Sequence, residues 1–236
     1  MRWSLLLCCL LSLSAAAQVR IAIIIDDVGY HYEHSKAAVD LHPNITLAII
    51  PQSPHGVALA QEAKQKQREV IIHLPMAANG TTALDAGGIT PEHSDEHIQH
   101  TIHTAFKRIP NAVGLNNHMG SRATEDKRTM RSVMDALAHR GAFFLDSRTS
   151  SASVGEAEAQ QMGVPNARRH VFLDNEPTHR SIHQQFLQLI KQARQQGSAV
   201  AIGHPYPETI SYLNQVFPLL EDAGIELVPI SRLVTF

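Results

Sequence analysis

The sequence predicts an α/β fold, a single domain built as a (β/α) barrel. Three observations carry that expectation. Short apolar runs rich in β-branched residues recur at 21–25, 45–50, 70–72, 112–115, 142–145, 171–173, 199–202 and 225–228. They are nearly continuous rather than alternating, as in strands of a parallel sheet covered on both faces. Between them lie helical patterns, and nearly every run ends in polar residues able to do chemistry. A chain of 236 residues can bury roughly 70% of its unfolded surface in one core. Eight strands with helices between them fit a barrel better than an open doubly wound sheet, which is the alternative.

The chain opens on a different kind of segment. Met1-Arg2-Trp3-Ser4 carries one positive charge, residues 5–13 are apolar except Ser12, and Ala15 and Ala17 precede Gln18. That order of charged, apolar and small residues is a secretory signal. The apolar run is shorter than the roughly 20 residues a membrane span needs. Leu7 before Cys8 speaks against lipoprotein processing. The expectation is therefore a signal over 1–17, a domain over 18–236, and export across the inner membrane to the periplasm, with no transmembrane anchor left after cleavage.

Composition narrows the chemistry. Both cysteines, Cys8 and Cys9, and the single tryptophan, Trp3, lie in the signal. The remainder excludes a disulfide scaffold, an iron–sulfur protein, a Cys nucleophile and a Cys-ligated zinc site. It leaves carboxylates and 15 histidines as possible metal ligands. A net charge of −2 and a pI near 6.7 argue against a nucleic-acid or anionic-membrane partner.

The helices follow in order. Ile98, Ile102, Phe106 and Ile109 form one stripe, which puts His97, His100 and His103 on the opposite, solvated face. Thr124 reads as an N-cap, Met130, Val133, Met134 and Leu137 as the buried stripe, and Gly141 as the stop. Thr178 or Ser181 caps the next helix, with Ile182, Phe186, Leu189 and Ile190 inward and Gly197 at its end. Pro207 suits a first turn, and Gly224 closes the last helix. The longest irregular stretch, 75–91, follows the third strand as a loop over the site.

In a parallel barrel the C-terminal strand ends share one rim, where active sites are built. The residues placed there are Asp26-Asp27, His73, Asn116-Asn117-His118, Asp146-Ser147-Arg148, Asp174, His204 and Ser231-Arg232. Neighbours on a strand point opposite ways, so one carboxylate of the Asp pair can bind a metal while the other stays free. An Asp that merely caps a turn is the plain alternative. Asp27, His73 and His118 make a two-His, one-carboxylate set suited to a divalent ion, with Zn²⁺ foremost. Core histidines bonded to backbone are the alternative for His73 and His118. His204 lies between Gly203 and Pro205, in an irregular turn. Asp146 and Arg148 either orient the catalytic groups or form an internal ion pair.

With these residues set out, the chain resembles the divergent polysaccharide deacetylase family. The matching segments are Ile25-Asp26-Asp27-Val28-Gly29-Tyr30, Ile72-His73-Leu74-Pro75-Met76, Gly114-Leu115-Asn116-Asn117-His118-Met119-Gly120-Ser121, Phe144-Leu145-Asp146-Ser147, Val171-Phe172-Leu173-Asp174 and Ile202-Gly203-His204-Pro205. The resemblance implies a distorted (β/α) barrel of seven or eight units and a metal-dependent deacetylase ancestry. It implies Asp26 as base, Asp27 and His73 as metal ligands, and His204 as general acid. The superfamily's second ligand, four residues after the first histidine, would fall on Ala77, so His118 is the expected replacement. The superfamily's Arg-x-Pro-Tyr motif has no evident counterpart.

The expected activity is hydrolysis of an N-acetylated sugar or a small envelope-glycan fragment. A long glycan fits less well, because sugar platforms favour tryptophan, and Tyr30, Tyr32 and Tyr206 are the tyrosines near the motifs. A catalytically weak envelope binding protein on the same scaffold is the other reading. A metal-dependent phosphoesterase would want more cations at the strand ends than Arg148 and Arg232.

Overall fold

The computed structural model describes residues 18–236; the expected signal lies outside them. Nine strands form one parallel sheet. They are β1 (Val19–Val28), β2 (Thr46–Ile49), β3 (Glu69–Met76), β4 (Gly114–Met119), β5 (Phe143–Asp146), β6 (Asn166–Arg168), β7 (Val171–Phe172), β8 (Ser198–Gly203) and β9 (Ile225–Leu227). The order β6-β5-β4-β3-β2-β1-β8-β7 runs round the sheet, and β9 pairs with the first residues of β1. No pairing joins β6 to β7 among the described residues, so the barrel is curled and distorted rather than closed. Seven helices intervene: α1 (Tyr32–Val39), α2 (Gly56–Gln65), α3 (Asp95–Arg108), α4 (Lys127–Arg140), α5 (Gly155–Gln161), α6 (His179–Gln196) and α7 (Pro207–Val216). None of these helices is long and apolar enough to cross a membrane.

The sheet is buried on both faces, which is why its apolar runs are continuous. Its outer face packs against the helices through Ile21, Ile23, Ile25, Ile72, Leu115, Phe144 and the helical stripes. Its inner face is filled by Ala22, Ile24, Ala48, Ile71, Phe143, Leu145, Val200 and Ile202. Ile230 completes that interior core, with Leu233 and Val234 packed against it.

The expected helix signals hold with two changes. Met130, Val133, Met134 and Leu137 are buried and Gly141 ends α4 in the left-handed region. Thr178, not Ser181, caps α6, accepting from the Ser181 N–H. Asp126, not Thr124, caps α4, accepting from the Thr129 N–H at 2.8 Å. Thr124 instead sits in a 3₁₀ turn and donates to the Gly120 carbonyl. Gly224 does not close α7, which ends at Val216 and passes into a further 3₁₀ turn.

Two strand readings also change. β6 was not expected, because Asn166-Ala167-Arg168 has no apolar run. Pairing with β5 and with Thr235 recruits it into the sheet. The last strand does not carry Ser231 and Arg232 to the rim at the C-terminal ends of the other strands. β9 lies along the start of β1, and the Ile230 and Ser231 N–H groups reach Thr46 and Glu69, which open β2 and β3. These two residues therefore sit at the opposite end of the barrel.

The cap assignment is testable. Asp126→Ala should cost about 1 kcal/mol, read as a lower urea midpoint with an unchanged slope.

Candidate active site

Side chains alternate across a strand, and the inward rows explain which residues converge. Ala22 and Ile24 of β1 lead to Asp26, Ile71 of β3 to His73, Phe143 and Leu145 of β5 to Ser147, and Val200 and Ile202 of β8 to His204. Asn116 joins the same layer, since it stands opposite His73 on one side and Leu145 on the other. The site is thus the top layer of the barrel interior, built where apolar residues give way to polar ones.

By strict alternation Asp27 would point outward. It does not, because Asp27 takes φ 56°, in the left-handed region, and the β1–β2 register shifts between Ile25 and Val28. Such a bulge re-aims a side chain. Both carboxylates now face one imidazole: His73 Nε2 is 3.2 Å from Asp27 Oδ1 and 3.6 Å from Asp26 Oδ2. Gly29 turns the chain immediately afterwards at φ 128°, where a Cβ would meet Ser53 Oγ at 1.9 Å.

Asp27 Oδ1, His73 Nε2 and His118 Nδ1 form a compact triangle. The His118 nitrogen lies 2.9 Å from the Asp27 oxygen and 3.1 Å from the His73 nitrogen. Among the described residues this is the one His/carboxylate group placed to hold a metal. Asp27 Oδ1 is buried without a hydrogen-bond partner: the imidazole nitrogens stand at ion-pair distance, off the line of a hydrogen bond. Ligands about 2.1 Å from one cation stand about 3.0–3.4 Å apart. The donor set and its spacing therefore fit a divalent ion.

The orientation of His73 follows from Asn116, which is fully buried. Asn116 Nδ2 donates to Asp26 Oδ1 at 2.9 Å and to Ser147 Oγ at 3.1 Å. When Asp26 is ionised, as a base must be, its carboxylate only accepts, and that fixes the amide orientation. Asn116 Oδ1 then accepts from His73 Nδ1 at 2.7 Å. The proton of neutral His73 is held on Nδ1, and Nε2 presents its lone pair to the triangle.

The charges are tuned by the same crowding. Burial pushes the Asp26 carboxyl up, against the pull of His73, His204 and the Asn116 hydrogen bond. Burial also acts to raise Asp27, but His118 and His73 beside it hold it well below the usual carboxylate range. His73 is raised: burial opposes its charge, and the Asp26 and Asp27 carboxylates override burial. The field that attracts a proton to Nε2 attracts a metal cation equally.

His204 enters from β8. Its Nδ1 donates to Asp174 Oδ1 at 2.9 Å, its backbone N–H to Asp174 Oδ2 at 2.6 Å, and Thr209 holds that same oxygen at 2.7 Å. Nε2 is left facing Asp27 Oδ2 at 3.8 Å. Burial opposes the imidazolium, but Asp174, with Asp26 and Asp27 behind it, pushes His204 up to about 9. It is therefore a proton donor at neutral pH. A cavity of about 350 Å³ opens outward from Asp27 and His204, lined by Tyr30, His31, His34, Pro205 and Tyr206. Tyr206 stacks on His204, whereas Tyr32 donates to Glu62 on α2.

The structure thus brings together Asp26, Asp27, His73, His118 and His204. It does not bring Asp146 and Arg148 to them. Asp146 lies on the outward row of β5 and accepts from the Arg148 N–H and the Ser153 hydroxyl. The Arg148 guanidinium is 3.9 Å from Asp146 and donates to the Ser151 and Ser153 carbonyls. The pair organises the loop after β5, and the orienting roles fall to Asn116 for Asp26 and Asp174 for His204. The 75–91 loop does cover the site: Asp85 accepts from Tyr30 and stands 3.3 Å from His118 Nε2. Arg169, which the sequence did not single out, holds the Ser147 and Arg148 carbonyls and lies over Phe172. His97, His100 and His103 are exposed on α3, as their helical phase implies.

A model of the divergent polysaccharide deacetylase family matches residues 23–234. An uncharacterized protein of Haemophilus influenzae is 42% identical over 197 residues, 84% of this chain and 70% of that protein. The crystal structure of an uncharacterized protein from Agrobacterium tumefaciens superposes with a TM-score of 0.89 at 26% identity, covering 94% of this chain and 91% of that one. A family 4 carbohydrate esterase from Streptomyces lividans, in complex with acetate, shares the fold at a TM-score of 0.54 and 13% identity, over 89% and 92% of the two chains.

The Asp174–His204 pair has a pH signature. Folded His204 titrates near 9, against about 6.5 for an unfolded histidine. Its contribution to stability is full below about pH 6.5 and is lost as pH rises through 9. In the metal-free protein, Asp174→Asn should flatten this fall in denaturation midpoints measured from pH 6 to 9.5. NMR titration should place its His204 below the parent's.

Proposed function

The chain belongs to the divergent polysaccharide deacetylase family, and from that premise we propose that it is a metal-dependent hydrolase. Its substrate is an N-acetylated sugar or a small envelope-glycan fragment. The observation that carries this reading is the facing arrangement of a cation triangle, a buried carboxylate and a protonated imidazole. Asp27, His73 and His118 would hold the ion, Zn²⁺ foremost by ligand type. A divalent ion there supplies Lewis acidity, acidifying water and polarising an acetyl carbonyl.

The remaining work belongs to the chain. Asp26 is the base: Asn116 occupies Oδ1, so Oδ2 is left to take a proton from the attacking water. Its raised affinity for a proton suits that role. A C–O bond forms at the carbonyl carbon as the C–N bond breaks. His204 gives its Nε2 proton to the departing amine, a poor leaving group without it. Asp174 keeps Nδ1 engaged, which orients the ring and stabilises its charge.

Tyr30 and Tyr206 are half exposed at the cavity mouth and offer the aromatic surface for a sugar. A cavity of about 350 Å³ suits a short ligand, at the lower end of the usual roughly 300–1,000 Å³ range. The first 17 residues, read as an export signal, support a periplasmic substrate. A competing reading, a weakly catalytic envelope binding protein, draws on Ala77 standing where the superfamily pattern has its second histidine.

Metal analysis and acetate release from a panel of N-acetyl sugars separate these readings. The enzyme should carry about one equivalent of metal after chelator-free purification and release acetate. Less than about a tenth of an equivalent favours the binding protein. Asp27→Ala should lose metal and activity together. Asp26→Asn should keep the metal and lose activity, and full activity in that variant sinks the assignment of the base.

A further inference from the structure

We propose that Asp85 is a positioning residue for the metal centre, acting through the tautomer of His118. The inference rests on the reading of Asp27, His73 and His118 as metal ligands. It assigns a task to the 75–91 loop that the deacetylation chemistry itself does not require.

The two imidazoles of the triangle are not equivalent. His73 has its tautomer fixed from behind by Asn116. His118 has two choices. With its proton on Nδ1 it can donate to His73 Nε2 at 3.1 Å, closing the triangle without a cation. With its proton on Nε2 the Nδ1 lone pair is free for a metal, and Asp85 Oδ2 stands 3.3 Å from Nε2, at ion-pair distance. A carboxylate behind a ligating histidine favours the second form and makes the ligating nitrogen more basic.

Asp85 is itself held in place. The Tyr30 hydroxyl donates to Asp85 Oδ2 from the turn after β1. The loop is tied down on either side of Asp85, through the Ile89 and Ala77 backbone ladder and the Asn79–Ser121 hydrogen bond. Asp85 thus joins three pieces: the loop, the β1 rim and the ligand on β4.

The test is Zn²⁺ affinity, measured by competition with a chromogenic chelator on the purified protein. Asp85→Ala should raise the Kd for Zn²⁺ by about 10–100-fold. Asp85→Asn keeps an acceptor oxygen and should recover part of that loss. Tyr30→Phe should weaken binding by less than Asp85→Ala. ¹⁵N NMR of the Zn²⁺-loaded parent should show His118 protonated on Nε2. A folded Asp85→Ala protein with a Kd within about twofold of the parent's, against the expected 10–100-fold, overturns the proposal and leaves the metal site standing. Should Asp85→Ala not fold, a parent-like Kd in Asp85→Asn, together with His118 protonated on Nδ1 in the loaded parent, overturns it. A folded parent that binds no Zn²⁺ overturns both the metal site and this inference.

Discussion

The site depends on the orientation of one buried amide. Asn116 is enclosed between a carboxylate, an imidazole and a hydroxyl, and the carboxylate accepts only. That single restriction sends Nδ2 to Asp26 and Oδ1 to His73. It holds the proton of His73 away from the triangle and leaves one oxygen of Asp26 uncommitted. The proposed base and one proposed metal ligand are thus set by the same residue. A buried polar network of this kind is stable only when each member is satisfied. Among the described residues the one orphan is Asp27 Oδ1, at the point where a cation fits.

Beneath that network, the parity of the sheet decides who takes part. Inward rows that are Ala, Ile, Val and Leu in the barrel become Asp26, His73, Asn116, Ser147 and His204 at its upper end. Asp146, one residue before Ser147, is turned to the helical side, where Ser153 and the Arg148 backbone satisfy it. Asp27 crosses from one side to the other only because its backbone is left-handed, a conformation that disfavours non-glycine residues. Local strain at a functional position is held by the surrounding structure, here the β1 pairings and the tight approach of Gly29 to Ser53.

Much of this was legible in the sequence. The barrel follows from continuous apolar runs, and the Asp–His–His triangle from polar residues at the ends of three of them. The stripes and stops of α4 and α6 follow from period and glycine. What was hidden depended on partners distant in the chain. β6 is a strand only through β5 and Thr235. Thr124 and Asp126 are both capping types two residues apart, and only backbone geometry chooses between them. Asn116 and Asp174 were visible as strand-end residues, but their orienting roles need to be seen across strands. Following the period-2 rows past the apolar core would have separated Ser147 from Asp146. No local pattern points to Asp85, which reaches His118 from within a loop.

The central claim is that Asp27, His73 and His118 share one cation. Anomalous diffraction at the zinc absorption edge, on crystals grown with stoichiometric Zn²⁺, tests it most directly. The account predicts one dominant anomalous peak within bonding distance of Asp27 Oδ1, His73 Nε2 and His118 Nδ1. A peak confined to the exposed α3 histidines, with none among those three atoms, would contradict it.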